Sequence, residues 1–157
     1  MTQGAMAVLS NDVATSSVLS TLDKLNFVTV DNSYCDGQLV MGTKCLIPDA
    51  FFTNIYGDTS KGGFVLIDGK RKVRVLVKNQ LNSGSVDEKF PYLFLNCVMF
   101  PEKEVIIVLD GRGYRESAKV WLERAIDNNW LNYMKSGKTI KLMSISEFVE
   151  YAIGEFS

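Results

Sequence analysis

The chain contains no histidine. That removes imidazole acid–base catalysis, the serine and cysteine triads that depend on it, and most zinc sites. Chemistry is left to carboxylates, lysine and a metal ion. Cysteine is scarce as well: Cys35, Cys45 and Cys97 stand at unrelated spacings with no C-x-x-C, an odd count that fits buried thiols in a reducing compartment. No apolar run reaches the ~20 residues of a membrane span, and the N-terminus lacks the charged start and apolar core of a signal peptide. A cytoplasmic protein with no membrane partner is the expectation. Charge of either sign is not in excess: a net charge of -1 excludes a generally basic DNA-coating protein and confines any nucleic-acid affinity to a local patch. Internal repeats and low-complexity segments are absent. The G-x-G of Gly111-Arg112-Gly113 lacks the third glycine of a nucleotide-binding turn and reads as a plain strand-to-helix connection, with Arg112 and Arg115 as candidate phosphate contacts.

What is present suits one domain, since 157 residues with 46% hydrophobic content can bury a substantial core. Residues 1–10 are expected to be a flexible N-terminus and residues 11–157 the domain. Asn11 or Asp12 is positioned to cap a helix through Leu25, with Ala14, Val18, Leu22 and Leu25 at helical spacing. Short β-prone runs follow at Phe27–Val30, Leu39–Met41 and Cys45–Ile47. Asn54–Gly63 reads as a loop turning at Gly57-Asp58. Phe64–Ile67 and Val73–Val77 flank Asp68-Gly69, a hairpin signal. A helix starts near Ser85, with Pro91 predicting a kink or a later start. Val105–Leu109 reads as a central strand, and a helix is expected from Arg115 to Met134. Thr139–Met143 is a last strand, and Ser144-Ile145-Ser146-Glu147 caps a final helix. The order predicts an α/β (α+β) fold with a mixed central sheet flanked by helices.

The chain is organised around Ile47–Glu88. The strand Lys72–Lys78 alternates, so Val73, Val75 and Val77 share one face while Arg74, Leu76 and Lys78 share the other. A lysine at a strand end near an aspartate from a neighbouring strand suits phosphodiester hydrolysis, the aspartate binding a hard divalent cation and the lysine placing the attacking water. Pro48-Asp49 supplies that aspartate. Lys61, Lys70, Arg71, Lys72, Arg74 and Lys78 are six of the 17 basic residues, and Asp68 is the one acid among them, so this segment is the candidate DNA-binding patch. Each part also has a plainer use. Asp49 after proline begins a turn, Lys78 is a solvated strand end, and Ser85-Val86-Asp87-Glu88 is a capping box.

The arrangement resembles the PD-(D/E)xK nuclease superfamily, type II restriction endonucleases in particular, with Pro48-Asp49 as the PD and Leu76-Val77-Lys78 at the (D/E)xK. Leu76 departs from the pattern, because leucine cannot ligand a metal. Some enzymes of this superfamily carry the second acid on the helix after the strand, where this chain has Asp87 and Glu88. Gln80, two residues past the lysine, is a further point of likeness. The resemblance implies a restriction endonuclease-like fold and a Mg²⁺ (or Mn²⁺)-dependent endodeoxyribonuclease acting on double-stranded DNA as a homodimer. Asp49, Asp87 and Glu88 would be metal ligands, and Lys78 would act with them in catalysis. Lys61, Lys70, Arg71, Lys72, Arg74 and Gln80 would contact DNA. The alternatives are a catalytically inactive DNA-binding or structural relative, and a small interaction module in which the motif is coincidence.

Overall fold

The computed structural model describes residues 3–31, 43–80, 86–111 and 113–157, and side chains for 13–31, 43–78, 89–111 and 113–157. The expected strand at Leu39–Met41 and the capping serine Ser85 lie outside the described residues. Six of the described strands form one sheet, and the helices cover its two apolar faces. Helix α1 spans Gln3–Lys24, and strands β1 (Phe27–Thr29) and β2 (Lys44–Pro48) follow. A small hairpin of β3 (Phe51–Thr53) and β4 (Thr59–Lys61) precedes β5 (Phe64–Asp68) and β6 (Arg71–Gln80). Then come α2 (Val86–Met99), β7 (Glu104–Gly111), α3 (Glu116–Asp127), a 3₁₀ segment (Trp130–Ser136), β8 (Thr139–Met143) and α4 (Ile145–Phe156).

The main sheet has the order β1-β2-β5-β6-β7-β8 and is mixed. β2, β5 and β6 pair antiparallel, while β1 with β2, and β6, β7 and β8 in succession, pair parallel. The alternation in β6 divides the core as expected. Val73 and Val75 join Val18 and Leu22 of α1 and Phe148, Ala152 and Phe156 of α4 on one face. Leu76 joins Phe90, Phe94 and Cys97 of α2 and Leu122 of α3 on the other. β7 is buried along Val105–Leu109, as a strand covered on both faces must be. The tight turn after Asp68 closes at Gly69, whose φ of 62° is left-handed.

Four local readings change. α1 does not begin at Asn11 or Asp12 but runs through them from Gln3, because Ala5, Met6, Ala7 and Leu9 are strong helix formers and outweigh the capping preference. Asn54–Gly63 is no plain loop: β4 lies within it and pairs with β3, Phe52 opposite Ser60, around the expected turn at Gly57. The later start at Pro91 is not taken: α2 begins at Val86 and continues through Pro91 at the cost of one helical hydrogen bond. α3 stops at Asp127 rather than Met134, since Asn129, Leu131 and Asn132 take left-handed conformations with φ of 54°, 62° and 55°. Asparagine tolerates that region well, and the Tyr133 hydroxyl donates to the Ile126 carbonyl at 2.6 Å, folding the segment back on α3. The cap of α4 is as read: Ser144 Oγ accepts from the Glu147 amide at 3.1 Å, and Glu147 Oε2 accepts from the Ser144 amide at 3.2 Å.

Candidate active site

β2 ends at Pro48, opposite Phe64 of β5, which in turn lies opposite Val75 of β6. Proline suits a strand end because it has no amide hydrogen to give the ladder. The chain then leaves the sheet at Asp49, whose φ of 46° is left-handed, a conformation that aspartate adopts more readily than most residues. The return path is equally constrained. Gly63 has φ +64°, and a Cβ there would lie 2.3 Å from the Val75 carbonyl oxygen, so only glycine lets β5 start this close to β6. The Ala50 amide donates to the Gly63 carbonyl at 3.3 Å and the Gly62 amide to the Ala50 carbonyl at 3.1 Å, which closes the neck of the β3–β4 hairpin.

These constraints bring Asp49 and Lys78 to one cavity of about 390 Å³, with Thr15 and Leu19 of α1 as its roof and Gly63, Leu76 and Val77 along its wall. Lys78 keeps solvent access, yet surrounding protein desolvates its ammonium, and Lys89 adds repulsion, so its pKa is lowered from the usual lysine value. Leu76 is 5% exposed and belongs to the core on the α2 side, so the position of the usual second acid is filled by packing. Asp87 and Glu88 lie in the first turn of α2, and their side chains are outside the described residues. Gln80 ends β6 opposite Gly111, and its side chain is likewise outside them.

The basic segment divides into parts with different environments. Arg74 is 1% exposed and ion-paired to Glu102, Nε to Oε2 at 2.8 Å. Its guanidinium also donates to the carbonyls of Ala50 (3.1 Å), Gly62 (2.8 Å) and Phe51 (2.9 Å), and lies over the rings of Phe52 and Phe100. A phosphate cannot reach a side chain so enclosed, which corrects its reading as a DNA contact: Arg74 fastens the β3–β4 hairpin to the sheet. Arg71 pairs with Glu104 and Glu155 at 2.7 Å each and donates to the Tyr151 hydroxyl at 2.9 Å, joining β6 to β7 and α4. Those hydrogen bonds hold its pKa above the usual arginine value, with desolvation working against them. Lys70 and Lys72 are exposed at that same end of β6. At a strand rise of ~3.3 Å per residue, Lys72 is roughly 20 Å from Lys78. Lys61 is the member of the patch that lies near the cavity end, its Nζ 5.0 Å from the centre of the Phe51 ring.

A second hollow, of about 380 Å³, opens on the other side of Lys78, between the hairpin and α2. Lys61, Lys78 and Lys89 line it together with Phe52 and Tyr92. Lys89, Tyr92 and Asn96 are not among the candidates the sequence offers, where this helix contributes Asp87 and Glu88 alone. Their spacing of three and four residues places them on one stripe of α2, which lines the groove.

As for a metal, the chemistry of the donor set fits a hard divalent cation, because carboxylate oxygens are on hand and imidazole is not. Asp49 is the one carboxylate among the described residues that line its cavity, and no cluster of three or more His, Cys, Asp or Glu gathers among the described residues. None of the described helices is long and apolar enough to cross a membrane. No curated protein and no solved structure matches the chain. A family model described as "PD-(D/E)XK nuclease superfamily domain" matches residues 6–156, nearly the whole length. With its mixed sheet, its strand-end aspartate and the lysine of β6 meeting at one cavity, the chain belongs to the PD-(D/E)XK nuclease superfamily.

Proposed function

We propose that the protein is a Mg²⁺- or Mn²⁺-dependent endodeoxyribonuclease that hydrolyses phosphodiester bonds of double-stranded DNA in the manner of a restriction enzyme, as a homodimer. The observation that carries this reading is that Asp49 and Lys78, 29 residues apart in sequence, line one cavity. Asp49 is the first carboxylate of the cation site, and Asp87 or Glu88, in the turn of α2 that follows β6, completes it. The cation, when bound, supplies Lewis-acid stabilisation at the phosphate and activation of water. Lys78 orients the attacking water and offsets the negative charge that grows on the phosphorane-like transition state. Its partial desolvation strengthens that electrostatic effect. Lys61 and Gln80 are assigned to the DNA contact on the cavity side, while Lys70 and Lys72 extend it only if the duplex follows β6 to its far end. The deciding experiment is incubation with plasmid DNA in Mg²⁺ and in EDTA. Cleavage is expected in the first only, and undiminished cutting in EDTA would refute the reading.

The burial of Leu76 supports a second reading, a catalytically inactive relative that binds DNA through the same face. Such a protein retains DNA affinity, cuts nothing with any divalent cation, and gains no thermal stability from Mg²⁺ or Ca²⁺.

A further inference from the structure

We propose that the groove between the β3–β4 hairpin and α2 takes one unpaired nucleotide of the DNA strand, its base stacked against the Tyr56–Tyr92 pair and its phosphate among Lys61, Lys78 and Lys89. This rests on the nuclease reading and adds to it a subsite for a base that has left the helical stack of the bound DNA.

Size, charge and surface chemistry converge on that ligand. The groove's volume of about 380 Å³ is near the lower end of small-ligand sites, which run from roughly 300 to 1,000 Å³, so it admits a nucleotide and excludes a double helix. Three lysines face it, and none of the described residues that line it is acidic. Lys78 of β6 and Lys89 of α2 come to the groove from its two sides, so an anion lodged there meets positive charge from both. A phosphate is such an anion, and Lys78 also lines the neighbouring cavity of Asp49, so the phosphate bound here adjoins the bond to be cut.

Tyr92 lines the groove, and Tyr56 of the hairpin tip stands at its edge, packed on Tyr92. Tyr56 is 75% exposed and Tyr92 38%, yet their rings lie stacked, centroids 6.1 Å apart and planes 25° from parallel. Phe52 and Phe100, edge to face at 4.8 Å, give an apolar floor beneath. The platform is also held rigid. Asn96 Oδ1 of α2 accepts from the Ile55 amide at 3.2 Å, and Asn54 Oδ1 accepts from the Tyr56 amide at 2.9 Å, so the hairpin tip cannot drift from α2. Exposed aromatic faces beside cations bind bases by stacking, without regard to sequence, and a base offers its face only when it is out of the duplex stack.

The test is fluorescence anisotropy in EDTA with three labelled probes: a single-stranded oligo-dT, a fully paired duplex, and the same duplex carrying one unpaired nucleotide. The single strand and the interrupted duplex are expected to bind more tightly than the intact duplex at equal salt. Tyr56→Ala and Tyr92→Ala should each weaken those two probes roughly 5- to 150-fold, the worth of one base–aromatic stack, and leave the intact duplex nearly unchanged. Tyr92→Phe should restore the loss, because the ring and not the hydroxyl is used. Lys61→Ala and Lys89→Ala should each lower the log–log salt slope for the single strand by about 0.7. Tyr56 is so exposed that its removal leaves the fold intact, which a melting curve verifies. Equal affinity for all three probes, or wild-type binding by both tyrosine variants, overturns the proposal while leaving the nuclease reading standing. Failure to bind any of the three overturns the proposal as well, while the nuclease reading is decided by plasmid cleavage in Mg²⁺.

Discussion

Arg74 and Glu102 form an ion pair that is 1% and 9% exposed, with Nε and Oε2 2.8 Å apart, directly behind the two cavities that meet at Lys78. Three backbone carbonyls of the β3–β4 hairpin depend on the same guanidinium. Replacing Arg74 by Met should therefore cost about 3–5 kcal/mol, because it leaves a buried carboxylate and those carbonyls without their donor. Melting should fall by roughly 10 °C or more. Arg74→Lys should recover little, since one ammonium cannot reproduce a planar fork of five donors. A melting temperature within 2 °C of wild type for Arg74→Met would show that the hairpin holds without this clamp.

Asp49→Asn and Lys78→Ala should each reduce DNA cleavage by about 10²-fold or more while the melting curve changes little. Both residues sit on the cavity wall and outside the three apolar clusters, so their loss removes chemistry and not packing. Near-normal cutting by either folded variant would end their assignment as the catalytic pair.

The second acid separates a working enzyme from an inactive relative. Glu88→Gln is expected to abolish cleavage and to abolish the rise in melting temperature that Mg²⁺ gives the wild type by binding the folded state. Asp87→Asn is the control in the same turn. A role limited to the helix cap predicts instead a loss of order 1 kcal/mol in stability, with cleavage kept. If both variants cut normally, the acid stands elsewhere.

Salt dependence locates the DNA. Lys61→Ala should lower the log–log salt slope for duplex binding by about 0.9, one phosphate's worth of released counterion. Lys70→Ala and Lys72→Ala, at the far end of β6, should leave it unchanged. The opposite ranking would move the duplex along the sheet to the Arg71 end.

Alkaline stability should reflect Cys97. Burial pushes its thiol up to about 12 from the ordinary thiol value of 9.0, so above pH 9 the unfolded chain loses the proton while the folded one keeps it. The unfolded state is then favoured progressively between pH 9 and 12, and below pH 9 this contribution is constant. Cys97→Ala should flatten that alkaline decline, although it lowers stability at neutral pH through the cavity it leaves. A thiol reagent should reach Cys45 and Cys97 only after unfolding, since both are buried. Rapid labelling of either in the native state would contradict their packing.

The sequence by itself determined whatever depends on near neighbours in the chain. Alternation fixed which face of β6 each side chain takes, because successive residues of any strand must point to opposite sides. Asp68-Gly69 fixed a hairpin, and Ser144 with Glu147 fixed the start of α4, since each device is complete within four residues. The absence of histidine fixed the kind of chemistry left open, and Pro48-Asp49 with Lys78 marked the two strand ends that meet.

Only the tertiary structure decided which charges are free to act. Arg74 and Lys78 read alike on one face of one strand, yet Glu102, Phe52 and Phe100, all brought from elsewhere in the chain, enclose the first, and the second stands between two cavities. The same folding brings Lys89 and Tyr92 of α2 against the β3–β4 hairpin, whose Gly-, Asp- and Ser-rich tip carries only a loop signal, and that juxtaposition makes the groove. Burial and ion pairing depend on partners 20 to 90 residues away, and no local pattern carries their positions.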